Sequence, residues 1–218
     1  MILIPVKNLA LAKQRLAGVL DQASRTELAQ AMLLDVVDAV SAVRNRPPCA
    51  LVTGDPFAIE LAHRYDFEII ADSGNPGETG AIERATNLCV DRGVESTLVI
   101  PADIPLIRSL ELEQILANTP HEGSLLVPAA DGRGTNAAFR RPANLFPLRF
   151  GNDSFRPHLA AARSTGKPCT VLKFAGIGRD VDNPSDLEHL RSEPGQTRSQ
   201  NLLRQWKLEG KLLAMESL

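Results

Sequence analysis

One carboxylate, Asp103, stands where its surroundings could give it chemical work. It lies in Leu98-Val-Ile-Pro-Ala-Asp-Ile-Pro-Leu-Ile107, an apolar run that ends in a single acid bracketed by Pro101 and Pro105. The run has the length and β-branching of a buried strand, and the prolines stop regular structure on both sides of the acid. Asp103 therefore falls where a central strand leaves its sheet, the edge at which open α/β sheets collect ligands. A charge there is costly unless it meets a cation, and a hard ion such as Mg²⁺ suits a carboxylate oxygen. The same residue would also serve as a cap for the next helix, whose periodic part begins near Ser109.

Three other groups carry chemistry. Lys7, Lys13 and Arg15 follow closely on the apolar strand at residues 1–4. Cations behind a first parallel strand commonly face nucleotide phosphates. The stretch Lys7-Asn-Leu-Ala-Leu-Ala-Lys-Gln-Arg-Leu16 has no glycine, so it is neither a P-loop nor a dinucleotide loop. Taken alone, the loop reads more simply as a solvated basic face. Asp180 and Asp182, in Arg179-Asp-Val-Asp-Asn-Pro-Ser-Asp-Leu187, face the same way if the backbone is extended. Alternatively, these acids serve the dipole of a helix opening at Asn183-Pro184. Gly151, Asn152 and Ser154 precede another helix, and with its free N–H groups they suit an anion such as phosphate. Arg149 and Arg156 would add charge there, and plain capping by Ser154 is the simpler reading.

The elements that must position these groups alternate. Ser24-Arg-Thr-Glu27 has the spacing of a capping box and opens a helix with apolar Leu28, Met32, Leu33, Val36, Val37 and Val40. A strand over 50–53, a helix from Asp55 to about residue 64 and a strand over 67–71 follow. The loop Asp72-Ser-Gly-Asn-Pro-Gly-Glu-Thr-Gly80 is dense in turn formers, and its glycines permit close backbone approach to a ligand, although a plain surface loop accounts for it equally well. Helices are expected over 81–92, 112–117, 154–164 and from 183. Strands are expected over 96–100, 124–128, 137–139 and 169–173, with a tight polar turn at Asp131-Gly-Arg-Gly-Thr-Asn136. This alternation predicts a three-layer, Rossmann-like α/β fold with a mostly parallel mixed sheet. Residues 192–200 read as a polar, flexible linker after a domain spanning 1–191. Leu202, Leu203, Trp206, Leu208, Leu212 and Leu213 then form an amphipathic helix, a candidate for packing on its own domain or in a homodimer.

Composition narrows the function classes. A net charge of -2 gives no electrostatic footprint for nucleic acid. Cys49, Cys89 and Cys169 follow no metal spacing and read as thiols in a reducing compartment. No apolar run is long enough to span a membrane, and Met1-Ile-Leu-Ile-Pro-Val6 lacks the features of a signal peptide. A soluble cytoplasmic protein is expected.

Taken together, Ile4-Pro-Val-Lys-Asn-Leu-Ala-Leu-Ala-Lys-Gln-Arg-Leu16, Pro101-Ala-Asp-Ile-Pro-Leu106, Gly134-Thr-Asn136, Arg149-Phe-Gly-Asn-Asp-Ser-Phe155 and Asp180-Val-Asp-Asn-Pro-Ser-Asp-Leu187 resemble the 2-phospho-L-lactate guanylyltransferase family of coenzyme F-420 biosynthesis. The five motifs occur in the family's order between about Ile2 and Leu190. The resemblance implies a GT-A-like nucleotidyltransferase fold. It also implies transfer of GMP from GTP to 2-phospho-L-lactate, phosphoenolpyruvate or 3-phospho-D-glycerate, with release of pyrophosphate, and a product that passes to a downstream transferase. It further implies Mg²⁺ held by Asp103 with Asp180 or Asp182. Lys7, Lys13 and Arg15 would lie at the GTP phosphates, and Thr135, Gly151 and Ser154, with Asn136 and Arg149 beside them, at the acid. The loop Pro76-Gly-Glu-Thr-Gly-Ala81 departs from the family's usual Gly-Leu-Asn-Ala-Ala. The alternatives are a nucleotidyltransferase for another phosphorylated acceptor and a non-catalytic nucleotide-binding protein on the same fold.

Overall fold

A computed structural model describes residues 1–72, 77–151 and 153–206 of the chain. At its centre is β1 (Ile2–Val6), buried along its whole length. It pairs in parallel with β2 (Cys49–Thr53) on one side and β4 (Thr97–Val99) on the other. Outside β2 lies β3 (Glu68–Ala71), also parallel. Outside β4 the direction changes. Strand β6 (Thr135–Arg141) runs antiparallel to β4 and to its other neighbour β5 (Gly123–Pro128), and β7 (Cys169–Val171) is parallel to β5. Among the described residues the seven strands form one sheet in the order β3-β2-β1-β4-β6-β5-β7. Because β6 alone is reversed, its amino end shares a sheet edge with the carboxyl ends of β1 and β4.

Both faces of the sheet are covered, as the near-continuous apolar strands require. Alternate residues of β1 diverge. Ile2, Ile4 and Val6 pack with α1 (Gln22–Ser41), α2 (Pro56–Arg64) and α4 (Ser109–Ala117). Leu3 faces the other way, toward α3 (Glu78–Asp91) and α5 (Phe155–Ser164). This is the three-layer α/β fold expected from the alternation. A third apolar cluster joins Leu16, Leu28 and Met32 to Val181, Leu187 and Leu190 of the segment leading into α6 (Pro184–Ser192) and of α6 itself, and to Leu202 and Leu203 of α7 (Arg198–Gln205).

Two sequence expectations are corrected. Helix α1 is capped by Asp21, whose carboxylate accepts the Ser24 N–H at 2.8 Å, so the Ser24–Glu27 box lies inside the first turn. An acid at this position adds a favourable charge at the helix amino end. Residues 192–200 are also not all linker, since α7 begins within them with Ser199 and Gln200 fully buried. Their polar groups are satisfied internally. Asp35 of α1 accepts the N–H groups of Arg198 (2.7 Å) and Ser199 (3.0 Å), and Gln200 Nε2 donates to the Leu190 and Glu193 carbonyls at 3.1 and 2.8 Å. Asn152, Ser73 to Pro76 and the end of the expected carboxyl-terminal helix, with Leu208, Leu212 and Leu213, lie outside the described residues. Among the described residues no helix is long and apolar enough to cross a membrane.

The segment carrying the second acid pair is held from two sides. Glu111 of α4, 3% exposed, accepts the N–H groups of Gly176 (2.8 Å) and Ile177 (3.2 Å). The Val181 N–H donates to the Asp103 carbonyl at 3.1 Å, tying the two acid stretches together through backbone. Replacing Glu111 with Ala leaves these buried donors without an acceptor and should cost about 2–3 kcal/mol. The expected outcome is a melting temperature lower by roughly 5–10 °C in a thermal denaturation scan.

Candidate active site

The loop after β1 is shaped by short-range hydrogen bonds. Asn8 Oδ1 accepts the Ala10 N–H at 2.9 Å and starts a 3₁₀ turn over Leu9–Leu11, and a second covers Gln14–Leu16. Asp55 caps α2 with one oxygen, and its other accepts the Leu9 N–H at 2.9 Å, which fastens the loop to the neighbouring strand end. Between the two turns Lys13 adopts a left-handed backbone with φ of 55°. Its ammonium donates to Asp103 Oδ2 at 2.6 Å and to Asp182 Oδ1 at 3.0 Å, with the side chain only 8% exposed. Arg15 Nη1 lies 3.4 Å from Asp182 Oδ2.

The protonation states follow from this pairing. Burial alone lowers the Lys13 pKa, but the Asp103 and Asp182 charges outweigh it and leave the ammonium more firmly protonated than a free lysine. Burial raises the Asp182 pKa, and Lys13 and Arg15 more than reverse that shift. Asp180 ends raised by burial, opposed by the bond from Asn136 and reinforced by the Asp103 and Asp182 charges. Asp103 is no helix cap, because α4 starts at Ser109 and Arg108 holds its cap position.

Two cavities meet at these acids. One, of about 360 Å³, is lined by Lys7, Lys13 and Arg15 together with Leu9 and Met32. The other, of about 630 Å³, is lined by Thr135, Asn136, Gly151, Ser154, Asp180 and Arg133, among others. Asp103, Asp182, Arg15 and Pro101 line both.

The wall of the second cavity is a hydrogen-bonded chain. Asn136 Nδ2 donates to Asp180 Oδ1 at 3.1 Å and to the Ile177 carbonyl at 2.9 Å. Thr135 opens β6 on the same sheet edge as Asp103. The Ser154 hydroxyl donates to Thr135 Oγ1 at 3.3 Å, and His158 Nδ1 lies 2.9 Å from the same oxygen. His158 Nε2 accepts the Arg149 backbone N–H at 2.7 Å. Burial, helped by the charge of Arg140, pushes the His158 pKa down to about 4.

The structure brings together most of the expected residues and displaces others. Asp103, Asp182, Lys13 and Arg15 converge, and Asp180, Thr135, Asn136, Gly151 and Ser154 join them through the second cavity. Lys7 lines the first cavity, but its ammonium is held by Asp72 at 2.7 Å, and Asp72 also pairs with Arg84 at 2.6 Å. Arg149 departs from expectation, because its side chain is exposed, it is outside the described cavity lining, and its contribution is the backbone N–H. The anion site expected at the α5 amino end is also thinner. Ser154 makes no side-chain cap bond, the Phe155 N–H is taken by the Arg133 carbonyl at 2.7 Å, and Pro157 has no N–H. Sequence reasoning passed over His158, although its i,i+4 spacing from Ser154 places both on one helix face.

Among the described residues no three His, Cys, Asp or Glu side chains form a metal cluster by themselves. Asp103 and Asp182 nonetheless reach one common cation, the Lys13 ammonium. Two carboxylates, completed by phosphate oxygens and water, are the usual donor set for Mg²⁺.

The fold is a three-layer α/β sheet, and beside its edge Asp103, Asp180 and Asp182 lie between a basic and a polar cavity. A solved structure described as a putative nucleotide-diphospho-sugar transferase from Desulfovibrio desulfuricans shares the fold, with a TM-score of 0.77 at 20% identity over 98% of this chain and 96% of that one. The chain belongs to the family described as guanylyl transferase CofC like, whose model matches residues 1–214, and it is thus a nucleotidyltransferase. That match runs beyond the last recognised motif and takes in α7. The phosphoenolpyruvate guanylyltransferase of Sphaerobacter thermophilus is 35% identical over 86% of this chain and 90% of its own length. The 2-phospho-L-lactate guanylyltransferase of Methanothermobacter thermautotrophicus is 30% identical over 93% of this chain and 88% of its own.

His158 also yields a pH prediction. Its folded pKa of about 4 lies below the ordinary imidazole value of 6.5, so between these values the unfolded chain binds a proton that the folded chain refuses. Stability is fully present above about pH 6.5 and falls as the pH drops toward 4, by up to about 3 kcal/mol. Urea midpoints across this window should fall more steeply in the wild type than in His158→Gln.

Proposed function

We propose that this chain transfers GMP from GTP to a phosphorylated three-carbon acid with release of pyrophosphate, as a step in coenzyme F-420 biosynthesis. The observation that carries the reading is the pair of cavities sharing Asp103 and Asp182 as a common wall. A two-substrate transfer needs such a wall, with the donor nucleotide on one side, the acceptor on the other and the reacting phosphorus at the junction. The basic cavity suits GTP and the polar one the acid. The candidates are phosphoenolpyruvate, 2-phospho-L-lactate and 3-phospho-D-glycerate.

The chemistry asks little of an acid or base. The acceptor phosphate is already ionised at neutral pH, so its oxygen attacks the α-phosphorus in line and pyrophosphate leaves without a proton being removed. The difficulty is bringing two anions together. Asp103 and Asp182 are the residues that would hold a divalent cation, taken here as Mg²⁺, which would offset phosphate charge at the point of transfer. Lys13 and Arg15 would face the departing pyrophosphate, with Lys7 at the rim of the same cavity. Thr135, Ser154 and the Gly151 backbone would orient the acid, and Asn136 would steady Asp180 beside it. The product joins the acid's phosphate to GMP through an anhydride, a bond activated for a following transferase.

Pyrophosphate release measured with GTP, Mg²⁺ and each acid in turn tests the reading. One acid should support turnover, and Asp103→Asn and Asp182→Asn should each lower it on the order of 100-fold or more. Absence of release with every acid, while GTP still binds, would overturn the assignment.

A further inference from the structure

We propose that His158 is a positioning residue that fixes the direction in which the Thr135 hydroxyl donates. The Arg149 backbone N–H can only donate, so His158 Nε2, 2.7 Å away, must be the unprotonated nitrogen. A neutral imidazole then carries its proton on Nδ1. That nitrogen lies 2.9 Å from Thr135 Oγ1 and therefore donates to it. The Ser154 hydroxyl donates to the same oxygen at 3.3 Å. A hydroxyl has two lone pairs and one proton. With the ring donating to one lone pair and Ser154 placed as donor to the other, the Thr135 proton is turned away from His158 and left for a third partner.

Thr135 lines the larger cavity, which is where a third partner has room to bind. A hydroxyl locked as a donor fits an anionic oxygen and disfavours a ligand O–H or N–H at the same point. The ring is confined, because His158 is 1% exposed and packs in a T-shaped contact with Phe150 at a centroid distance of 5.2 Å. The lowered pKa of His158 keeps the ring neutral at working pH, as the tautomer requires. This inference rests on the reading of that cavity as the acceptor site, and its ligand there is a carboxylate or phosphate oxygen of the acid.

Kinetics and NMR test it separately. His158→Leu should raise the KM for the acid about tenfold while the KM for GTP stays within about twofold. His158→Gln, whose amide can both accept from Arg149 and donate to Thr135, should restore most of the loss. In a Thr135→Val background, His158→Leu should add nothing further. Acid and GTP KM values that move together, or substitutions whose effects multiply, would overturn the proposal. Ring nitrogen chemical shifts in ¹⁵N-histidine-labelled wild type, assigned by the signal absent in His158→Gln, should show an Nδ1-protonated ring that does not titrate near pH 6.5. The opposite tautomer would refute the proposal even if the Leu variant failed to fold. Failure of the acceptor reading looks different: the wild type releases no pyrophosphate with any acid while the Nδ1–H tautomer is intact. An intact tautomer and normal turnover, with the acid KM unmoved in His158→Leu, would reject the positioning role alone.

Discussion

The contact between the Lys13 ammonium and the carboxylates of Asp103 and Asp182 constrains the rest of the molecule. It joins residues separated by 90 and 169 positions, so the ends of β1 and β4 and the approach to α6 must arrive at one point. Losing either carboxylate leaves the enclosed ammonium with one partner, and because Asp103 and Asp182 are 30% and 41% exposed, water offsets part of the cost, which is about 1–3 kcal/mol. The cost is mutual. Two carboxylates this close repel unless a cation lies between them, and a lysine this enclosed holds its proton less firmly without them. The contact adds little net stability against an apolar replacement, but it specifies one arrangement of three distant segments.

Topology makes that arrangement reachable. Parallel strands β1 and β4 deliver their carboxyl ends to one sheet edge, which accounts for Lys13 and Asp103. The polar residues of the second cavity come from a strand running the other way, since only an antiparallel β6 can bring its first residues, Thr135 and Asn136, to that edge. The remaining acids ride on irregular backbone, which has no ladder of its own. Glu111 and the Val181 N–H supply the missing bonds there. The third apolar cluster then fastens α6 and α7 against α1, on the helix layer behind the first loop.

Much of this could be read in the sequence because it follows from local rules. The apolar strands, the Asp55 and Asn183 caps and the proline-bracketed Asp103 depend on neighbours a few residues away. What escaped depends on distant partners. The stretch from Ser199 looks solvated by composition, yet Asp35, more than 160 positions earlier, makes its polar groups internal. Ser24 and Glu27 have the spacing of a cap, but Asp21 outcompetes them with a charge that the pattern does not weigh. Arg149 looked like a cation for the site and contributes its backbone instead. His158 had no neighbouring motif to mark it, because its meaning comes from a strand residue and a loop amide that only folding brings to its ring.

The two halves of the site solve different electrostatic problems. In the proposed reaction the donor half faces a leaving group that gains charge, so lysine and arginine strengthen their hold as the reaction proceeds. The acceptor half faces a nucleophile that loses charge on attack. A tight cationic clamp there would stabilise the starting anion more than the transition state and would slow the transfer. Neutral donors avoid this. The Thr135 hydroxyl, held by Ser154 and by a histidine kept uncharged by burial, can fix the position of an anion without neutralising it. Arg133 on the same wall is engaged by Asp131 at 3.0 Å and Arg15 by Asp182, which reduces their free charge, and Arg179 at the exposed side is the further cation of that lining. On this view the low pKa of His158 is a requirement of its place: a protonated ring would give up the Arg149 N–H and set a positive charge behind the nucleophile.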